Sequence, residues 1–151
     1  MRMKRLDHVG VVVDSLAEAE RWLGETFGLP VQRTLEVPEG KIRAVFYTCG
    51  DTQIEVLEIG DPEARRRRLG TGVRARVEHL AIEVDDLEAV MAALAPLGVR
   101  TTAPEPRRSG DTLNYWTVAE TTGDVAYQFV QKLRPPSAGD ASPGSPRPGR
   151  T

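Results

Sequence analysis

The sequence predicts an α+β fold in which two βαβββ modules form a half-open, eight-stranded barrel. Two internal repeats predict this fold. Residues 6–16 reappear, with the same alternation and a histidine at the same place, as residues 77–87, and residues 51–58 match residues 124–131. A strand–helix–strand unit that occurs twice is expected to bury its apolar faces in one shared core.

Length and composition agree with this prediction. The 151 residues are expected to form a single domain over 1–134, with modules of about 1–72 and 73–134. A net charge of −2 gives no general attraction to nucleic acid, and no apolar run is long enough for a membrane span. The single cysteine, Cys49, excludes an internal disulfide, fits a cytoplasmic location and is expected to be buried.

The first module begins with an alternating strand over residues 6–13, in which His8 points away from Val9. A capping box, Ser15 to Glu18, predicts that a helix follows. Its inner apolar stripe should consist of Leu16, Ala19, Leu23 and Phe27, with Trp22 packed beside it in the core.

Three strands are predicted next, at 31–37, 42–48 and 52–58, and the first turn between them is Pro38-Glu39-Gly40. Asp61 and Pro62 then predict the start of a short polar helix that ends at Leu69.

The second module repeats the order. A strand at 77–84 leads to a helix capped by Asp85, and the strands near 99–102, 114–119 and 125–132 complete the unit. The helix should bury Leu87, Val90, Met91, Leu94 and Leu97. Residues 104–111 should form a mobile loop, and residues 135–151, which lack large apolar side chains, a disordered tail.

The repeats also place potential metal ligands at equivalent positions. Each copy supplies one of the only two histidines and one side-chain oxygen, and together these give His8, His79, Glu55 and Gln128. A mixed nitrogen and oxygen set suits a divalent ion such as Zn, Co, Mn, Ni or Fe. We therefore predict that the barrel encloses a metal site shared between the modules.

Other residues are candidates for binding a small-molecule substrate. Arg107, Tyr115 and Trp116 should lie near the mouth of the pocket, and neighbours on a strand alternate in direction, so only one of the two aromatic residues can face it. The run Arg65–Arg68 fits a solvated helix face better than a phosphate site for coenzyme A.

Residues 5–133 resemble the vicinal oxygen chelate, or glyoxalase-like, superfamily, and within it most closely the methylmalonyl-CoA epimerases. The resemblance lies in four segments: 6–13, 37–43, 51–58 and 78–81. It implies an enzyme that epimerises an acyl-CoA thioester through a metal-stabilised enolate, with Glu39 as a catalytic base. We expect a homodimer that binds neither nucleic acid nor membrane.

One position departs from the epimerase pattern. Gln128 stands where the family carries a glutamate that both binds metal and carries a proton, whereas an amide can only coordinate. Three other functions therefore remain open: an epimerase of a cyclitol or other hydroxy-ketone, of the 2-epi-5-epi-valiolone type; a ring-cleaving dioxygenase; and a metal-free, bleomycin-type resistance protein. The last normally lacks the metal residues, and the dioxygenases usually carry a carboxylate on the last strand.

Overall fold

The computed structural model describes residues 2–133, so the predicted disordered tail at 135–151 lies outside the described residues. Eight strands form one curled half-barrel sheet. They are β1 (Met3–Val13), β2 (Val31–Val37), β3 (Ile42–Cys49), β4 (Thr52–Ile59), β5 (Ala75–Val84), β6 (Arg107–Ser109), β7 (Thr112–Trp116) and β8 (Ala126–Lys132). The predicted eight-stranded α+β fold is confirmed.

The order of the strands in the sheet is β2-β3-β4-β1-β5-β8-β7-β6. In the first half β1 pairs with β4 in parallel, and in the second half β5 pairs with β8 in parallel. The two halves meet where β1 and β5 pair antiparallel. The repeated histidine strands are therefore adjacent at the centre of the sheet, so that both histidines can reach one site.

The helix of the first half is shorter than predicted. The side chain of Ser15 caps α1 (Leu16–Glu20) by accepting a hydrogen bond from the backbone N–H of Glu18, and a π-helix continues from Arg21 to Thr26. The wider π turn rotates the later residues away from the apolar stripe. As a result Phe27 is 63% exposed and Trp22 48% exposed, so both were wrongly predicted to pack in the core.

Two more helices follow as predicted, with one correction at a cap. Asp61 caps α2 (Pro62–Leu69). The cap of α3 (Leu87–Leu94) is Asp86, which accepts from the N–H of Ala89, because Asp85 instead pairs with Lys4. The predicted stripe also extended too far: Leu97 follows the helix in a 3₁₀ turn and is 75% exposed. None of the helices in residues 2–133 has the length and apolar content needed to span a bilayer.

The last strands also differ from the prediction. Residues 99–102, predicted as a strand, contribute only an isolated bridge from Thr101 to Thr117. The strand that completes the set of eight is β6, which lies inside the predicted mobile loop. Gly110 adopts a left-handed φ of 57° in the turn that pairs β6 with β7, which explains why a polar segment forms a hairpin. Cys49, at the end of β3, is exposed rather than buried.

The core is divided between the two faces of the sheet. Two helices cover the outer face, where α1 packs on Val13, Tyr47 and Val56, and α3 packs on Val84 and Phe129. Because side chains alternate along a strand, the neighbours Phe46 and Glu55 face the concave side. Leu69 of α2 belongs to the same buried cluster as Phe46, so α2 packs on the concave side, and the remainder of that face lines a cavity.

Candidate metal centre

The sheet register explains how the predicted ligands come together. Gly10 on β1 pairs with Glu55 on β4 and with His79 on β5, so these two side chains flank a glycine. The second half mirrors this arrangement, because Ala81 on β5 pairs with His8 and with Gln128. Residues paired directly across strands share a face, so all four side chains lie on the concave face.

The ligand atoms of these side chains form a tight cluster. His8 Nε2 lies 3.1 Å from Gln128 Oε1, 3.3 Å from His79 Nε2 and 3.4 Å from Glu55 Oε2. Glu55 Oε2 is also 3.3 Å from His79 Nε2. All four residues are buried. The structure thus brings together every residue that the repeat marked as a potential ligand.

A carboxylate contacts the other nitrogen of each imidazole. His8 Nδ1 lies 2.9 Å from Asp7 Oδ2, and His79 Nδ1 lies 3.3 Å from Glu78 Oε2. Adjacent residues on a regular strand point to opposite faces, but Asp7 and Glu78 are each the extra residue of a β-bulge in the β1–β5 ladder. The bulges therefore aim each acidic residue at the histidine that follows it.

Cationic side chains hold these two carboxylates in turn. Asp7 pairs with Arg5 at 3.1 Å and with Lys132 at 3.4 Å. Glu78 accepts two hydrogen bonds from Arg68, at 2.6 and 2.7 Å. Arg68 is consequently a partner of the site rather than part of the solvated helix face predicted for its arginine run. The repeat alone predicts no role for Asp7 and Glu78, although an acidic residue precedes the histidine in both copies.

Gln128 is oriented by a second amide. Its Nε2 donates to Asn114 Oδ1 at 2.9 Å, which turns its Oε1 toward His8. Asn114 is buried on β7, and its own amide nitrogen donates to the carbonyl of Arg107 and to the hydroxyl of Thr112. A polar residue between Leu113 and Tyr115 was the only sequence signal for this role.

The pKa values of the site follow from burial and these pairings. Burial opposes the charged forms, but the hydrogen bonds to Glu55 and Glu78 outweigh it and raise the pKa of His79 to about 9. The hydrogen bonds to Asp7 and Glu55 likewise raise the pKa of His8. Hydrogen bonds from both imidazoles overcome burial and lower the pKa of Glu55 to about 2. The carboxylate is thus ionised, as a metal ligand must be.

The arrangement fits a divalent ion. Ligand atoms about 2.1 Å from one ion are expected to lie roughly 3.0 to 3.4 Å apart, which is the spacing seen here. The potential ligand atoms of His8, Glu55 and His79 lie within 4.8 Å of one another. Carboxylates on the outer imidazole nitrogens are the usual support for histidine ligands. The donor set contains no thiolate, so it matches a catalytic site better than a structural zinc site.

The cluster lies in a cavity of about 1120 Å³ on the concave face, which the other predicted site residues also line. Glu39 borders it from a 3₁₀ turn between β2 and β3. Trp116 pairs directly with Gln128 and shares its face, whereas Tyr115 packs on the α3 side and donates its hydroxyl hydrogen bond to the carbonyl of Pro104. Arg107 borders the cavity from β6.

Comparisons with known proteins agree with the fold and the family. The chain is 27% identical to methylmalonyl-CoA epimerase of Mus musculus over 107 residues, which are 70% of this chain and 60% of the mouse protein. It is 28% identical to ethylmalonyl-CoA/methylmalonyl-CoA epimerase of Cereibacter sphaeroides over 97 residues, 64% of this chain and 72% of that one. The chain thus spans about three fifths of the mouse relative.

Solved structures have the same fold. A Streptomyces coelicolor methylmalonyl-CoA epimerase variant, in complex with 2-nitronate-propionyl-CoA, superposes with a TM-score of 0.77. The superposition covers 88% of this chain and 100% of that one, at 22% identity. The model of the Glyoxalase/Bleomycin resistance protein/Dioxygenase superfamily matches residues 7–118, a range that includes both histidines and Glu55 and stops before Gln128. The chain therefore belongs to the glyoxalase/bleomycin resistance protein/dioxygenase superfamily.

Proposed function

We propose that the chain is a divalent-metal-dependent epimerase of a coenzyme A thioester of the methylmalonyl type. The observation that carries this proposal is the convergence of four buried ligand atoms, two nitrogens and two oxygens, on one point of a large cavity. The epimerases among the relatives support the reaction class and the thioester substrate. When bound, the ion would act as a Lewis acid and stabilise the negative charge that develops as the α-proton leaves.

His8, Glu55, His79 and Gln128 would hold the ion, and Glu39 would remove the proton. Glu39 lies in a tight turn at the wall of the same cavity and makes no ion pair among residues 2–133. Its carboxylate is therefore available to act as a general base. Trp116, on the same face as the ligands, and Arg107 are proposed to contact the substrate, whereas Tyr115 packs toward α3 and could reach it only at the rim of the cavity.

The return of the proton on the opposite face needs a separate explanation. Gln128 cannot exchange a proton, and Glu55, with a pKa of about 2, is a very weak base. We therefore propose that Glu39 is the carboxylate base on one face, and that water or reorientation of the substrate completes the epimerisation.

The same observation favours a second candidate. An epimerase of a cyclitol or other cyclic hydroxy-ketone would use the same metal ligands without a carboxylate at position 128. We rank it second because the relatives named above act, by name, on acyl-CoA compounds.

The organisation of the protein is also part of the proposal. Because each half supplies two of the four ligands, we propose that residues 1–134 act as one domain. The expected homodimer, the cytoplasmic location and the absence of nucleic-acid and membrane partners stay predictions.

Hydrogen exchange at the α-carbon of the substrate tests the proposed function. The full chain, reconstituted with Co²⁺ or Zn²⁺, is incubated with methylmalonyl-CoA in heavy water, and deuterium incorporation is followed by mass spectrometry. We expect rapid incorporation by the wild type and by Glu25→Gln, a control in the π-helix. Glu39→Gln should slow incorporation about 100-fold or more while it retains the metal. Absence of wild-type exchange with this thioester, together with exchange on a cyclic hydroxy-ketone, would favour the second candidate.

A further inference from the structure

Arg33 lies in line with the candidate metal centre on the concave face of the sheet. It pairs with Phe46 on β3, Phe46 pairs with Glu55 on β4, and Glu55 pairs with Gly10. Since directly paired residues share a face, this row places Arg33 two strands from a proposed metal ligand, on the same wall of the cavity. The row ends at β2, the edge strand of the first half.

Stacking holds the guanidinium of Arg33 in place. Its Cζ lies 3.6 Å from the centre of the Phe46 ring, and that ring meets the His8 imidazole edge to face at 5.5 Å between centroids. Phe46 itself is only 2% exposed, so its position is fixed by the core. A cation over an aromatic face is favourable and restricts the arginine side chain. The positive charge is therefore fixed one aromatic ring away from the centre.

Arg33 has no carboxylate partner in the described part of the chain, unlike Arg68 and Lys132 of the same cavity. Arg68 is paired with Glu78, and Lys132 is paired with Asp7 and Glu83. Within residues 2–133 no ion pair or side-chain hydrogen bond involves Arg33. Its planar group of hydrogen-bond donors thus remains free to bind a carboxylate from the cavity side.

Arg107 and Arg108 on the opposite wall also lack a carboxylate partner among the described residues, but neither lies over an aromatic ring as Arg33 does. On the wall of Arg33 the buried Oε1 of Gln53 has no hydrogen-bond donor among the described residues, so it can accept from a donor group of a bound ligand, separate from the carboxylate. Gln53 is two positions before Glu55 on β4, so both side chains share a face.

We propose that Arg33 binds the free carboxylate of the substrate and selects thioesters that carry a carboxyl group on the α-carbon. The inference rests on the proposed function and names the residue that would recognise the carboxylate of its substrate. A neutral hydroxy-ketone would leave this charge without a partner.

Two thioesters of nearly the same shape test the inference. Methylmalonyl-CoA and isobutyryl-CoA differ in one group, a carboxylate in place of a methyl. Their Kd values are measured by calorimetry on the Zn²⁺-loaded full chain and on Arg33→Met, which keeps an unbranched, flexible side chain and removes the charge. We expect the wild type to prefer methylmalonyl-CoA, and Arg33→Met to lose on the order of 10- to 100-fold of that preference with an unchanged Kd for isobutyryl-CoA.

Arg21→Met is the matched control, because Arg21 also lies over an aromatic ring, that of Trp22, but outside the cavity. Arg33→Lys, which keeps the charge without the planar fork, should recover part of the preference. An equal preference in the wild type and Arg33→Met would overturn the inference, as would equal loss of both thioesters.

These experiments distinguish a failure of the Arg33 inference from a failure of the proposed function. If the wild type binds methylmalonyl-CoA through Arg33 but exchanges no α-proton, the reaction is wrong and the carboxylate site stands. If it exchanges the proton and Arg33→Met leaves the preference intact, the reaction stands and the carboxylate site is wrong. Failure of the wild type to bind either thioester would overturn both.

Discussion

The imidazole of His79 occupies the space that a side chain at Gly10 would fill. The two residues pair directly across β1 and β5, and a β-carbon added at Gly10 would collide with three atoms of the ring. The mirror position in the second half is Ala81, opposite His8, and that residue carries a methyl group without conflict. The two halves of the site are thus similar but not interchangeable.

Gly10→Ala should therefore displace His79 and weaken metal binding. Loss of one imidazole from the proper position removes a ligand, so we expect the Kd for Zn²⁺ to rise by roughly 100-fold. Competition with a chromophoric chelator measures this change. Gly24→Ala is the control, because a β-carbon there meets Tyr47 and Glu20 only at ordinary contact distances of 3.7 and 3.8 Å. Equal metal affinities in the two variants would contradict the proposed role of the glycine.

The carboxylates at the two bulges should position the histidines. Asp7→Asn and Glu78→Gln keep the shape of each side chain and remove its charge, so each should reduce metal affinity about 10- to 100-fold without loss of fold. Circular dichroism checks the fold, and chelator competition checks the affinity. Glu88→Gln, in the first turn of α3, serves as control. Unchanged affinity in both variants would mean that the bulges do not orient the ligands.

Metal binding should release protons and strengthen as the pH rises. Because the pKa of His79 is raised to about 9 and that of His8 is also raised, the metal-free imidazoles carry protons that an ion must displace. Calorimetry at pH 7.5 in two buffers of different ionisation enthalpy measures the protons released. We expect between one and two protons to be released per ion bound. Binding without proton release would contradict these pKa shifts.

The thermal stability of the metal-free protein should fall as the pH rises, whereas the metal affinity should increase. The pKa of His79 is raised in the folded state, so its protonation stabilises the fold. This contribution is complete below the unfolded-state pKa of about 6.5 and is lost as the pH rises through the folded-state pKa of about 9. The melting temperature of metal-free protein should therefore fall between pH 6.5 and pH 9. A melting temperature that rises over this interval would contradict the assignment.

Restoring a carboxylate at position 128 tests the departure from the epimerase pattern. Gln128→Glu should retain the metal and speed α-proton exchange on methylmalonyl-CoA, since a well-placed second base contributes roughly 100- to 10,000-fold. Gln131→Glu, on the same strand but bonded to the N–H of Leu87, is the control. Slower exchange in Gln128→Glu would show that the amide is part of the working mechanism.

The sequence repeat predicted the features that depend on equivalent positions. It identified the histidine strands and the equivalent positions of Glu55 and Gln128, and the alternation of apolar residues predicted the other strands that the structure confirms, because period and symmetry are visible in one chain. It could not reveal that the central ladder contains bulges at Asp7 and Glu78, since a bulge depends on which strands pair and in what register.

The remaining errors have local causes. The π turn at Arg21–Thr26 shifts Phe27 outward, and no helical stripe predicts such a turn. The sequence does not predict the roles of Arg33 and Asn114, because these depend on side chains of neighbouring strands: Phe46 and Glu55 for Arg33, and Gln128 for Asn114.

The metal content of the purified chain tests the central claim most directly. Full-length protein, His8→Ala, His79→Ala and the Glu25→Gln control are dialysed against Zn²⁺ or Co²⁺ and then against metal-free buffer, and bound metal is measured by mass spectrometry with circular dichroism as a fold check. We predict one ion per chain in the wild type and the control, and less than a tenth of that, by an order-of-magnitude estimate, in both histidine variants. Stoichiometric metal in the folded histidine variants, or none in the wild type, would contradict a metal centre formed by His8, Glu55, His79 and Gln128.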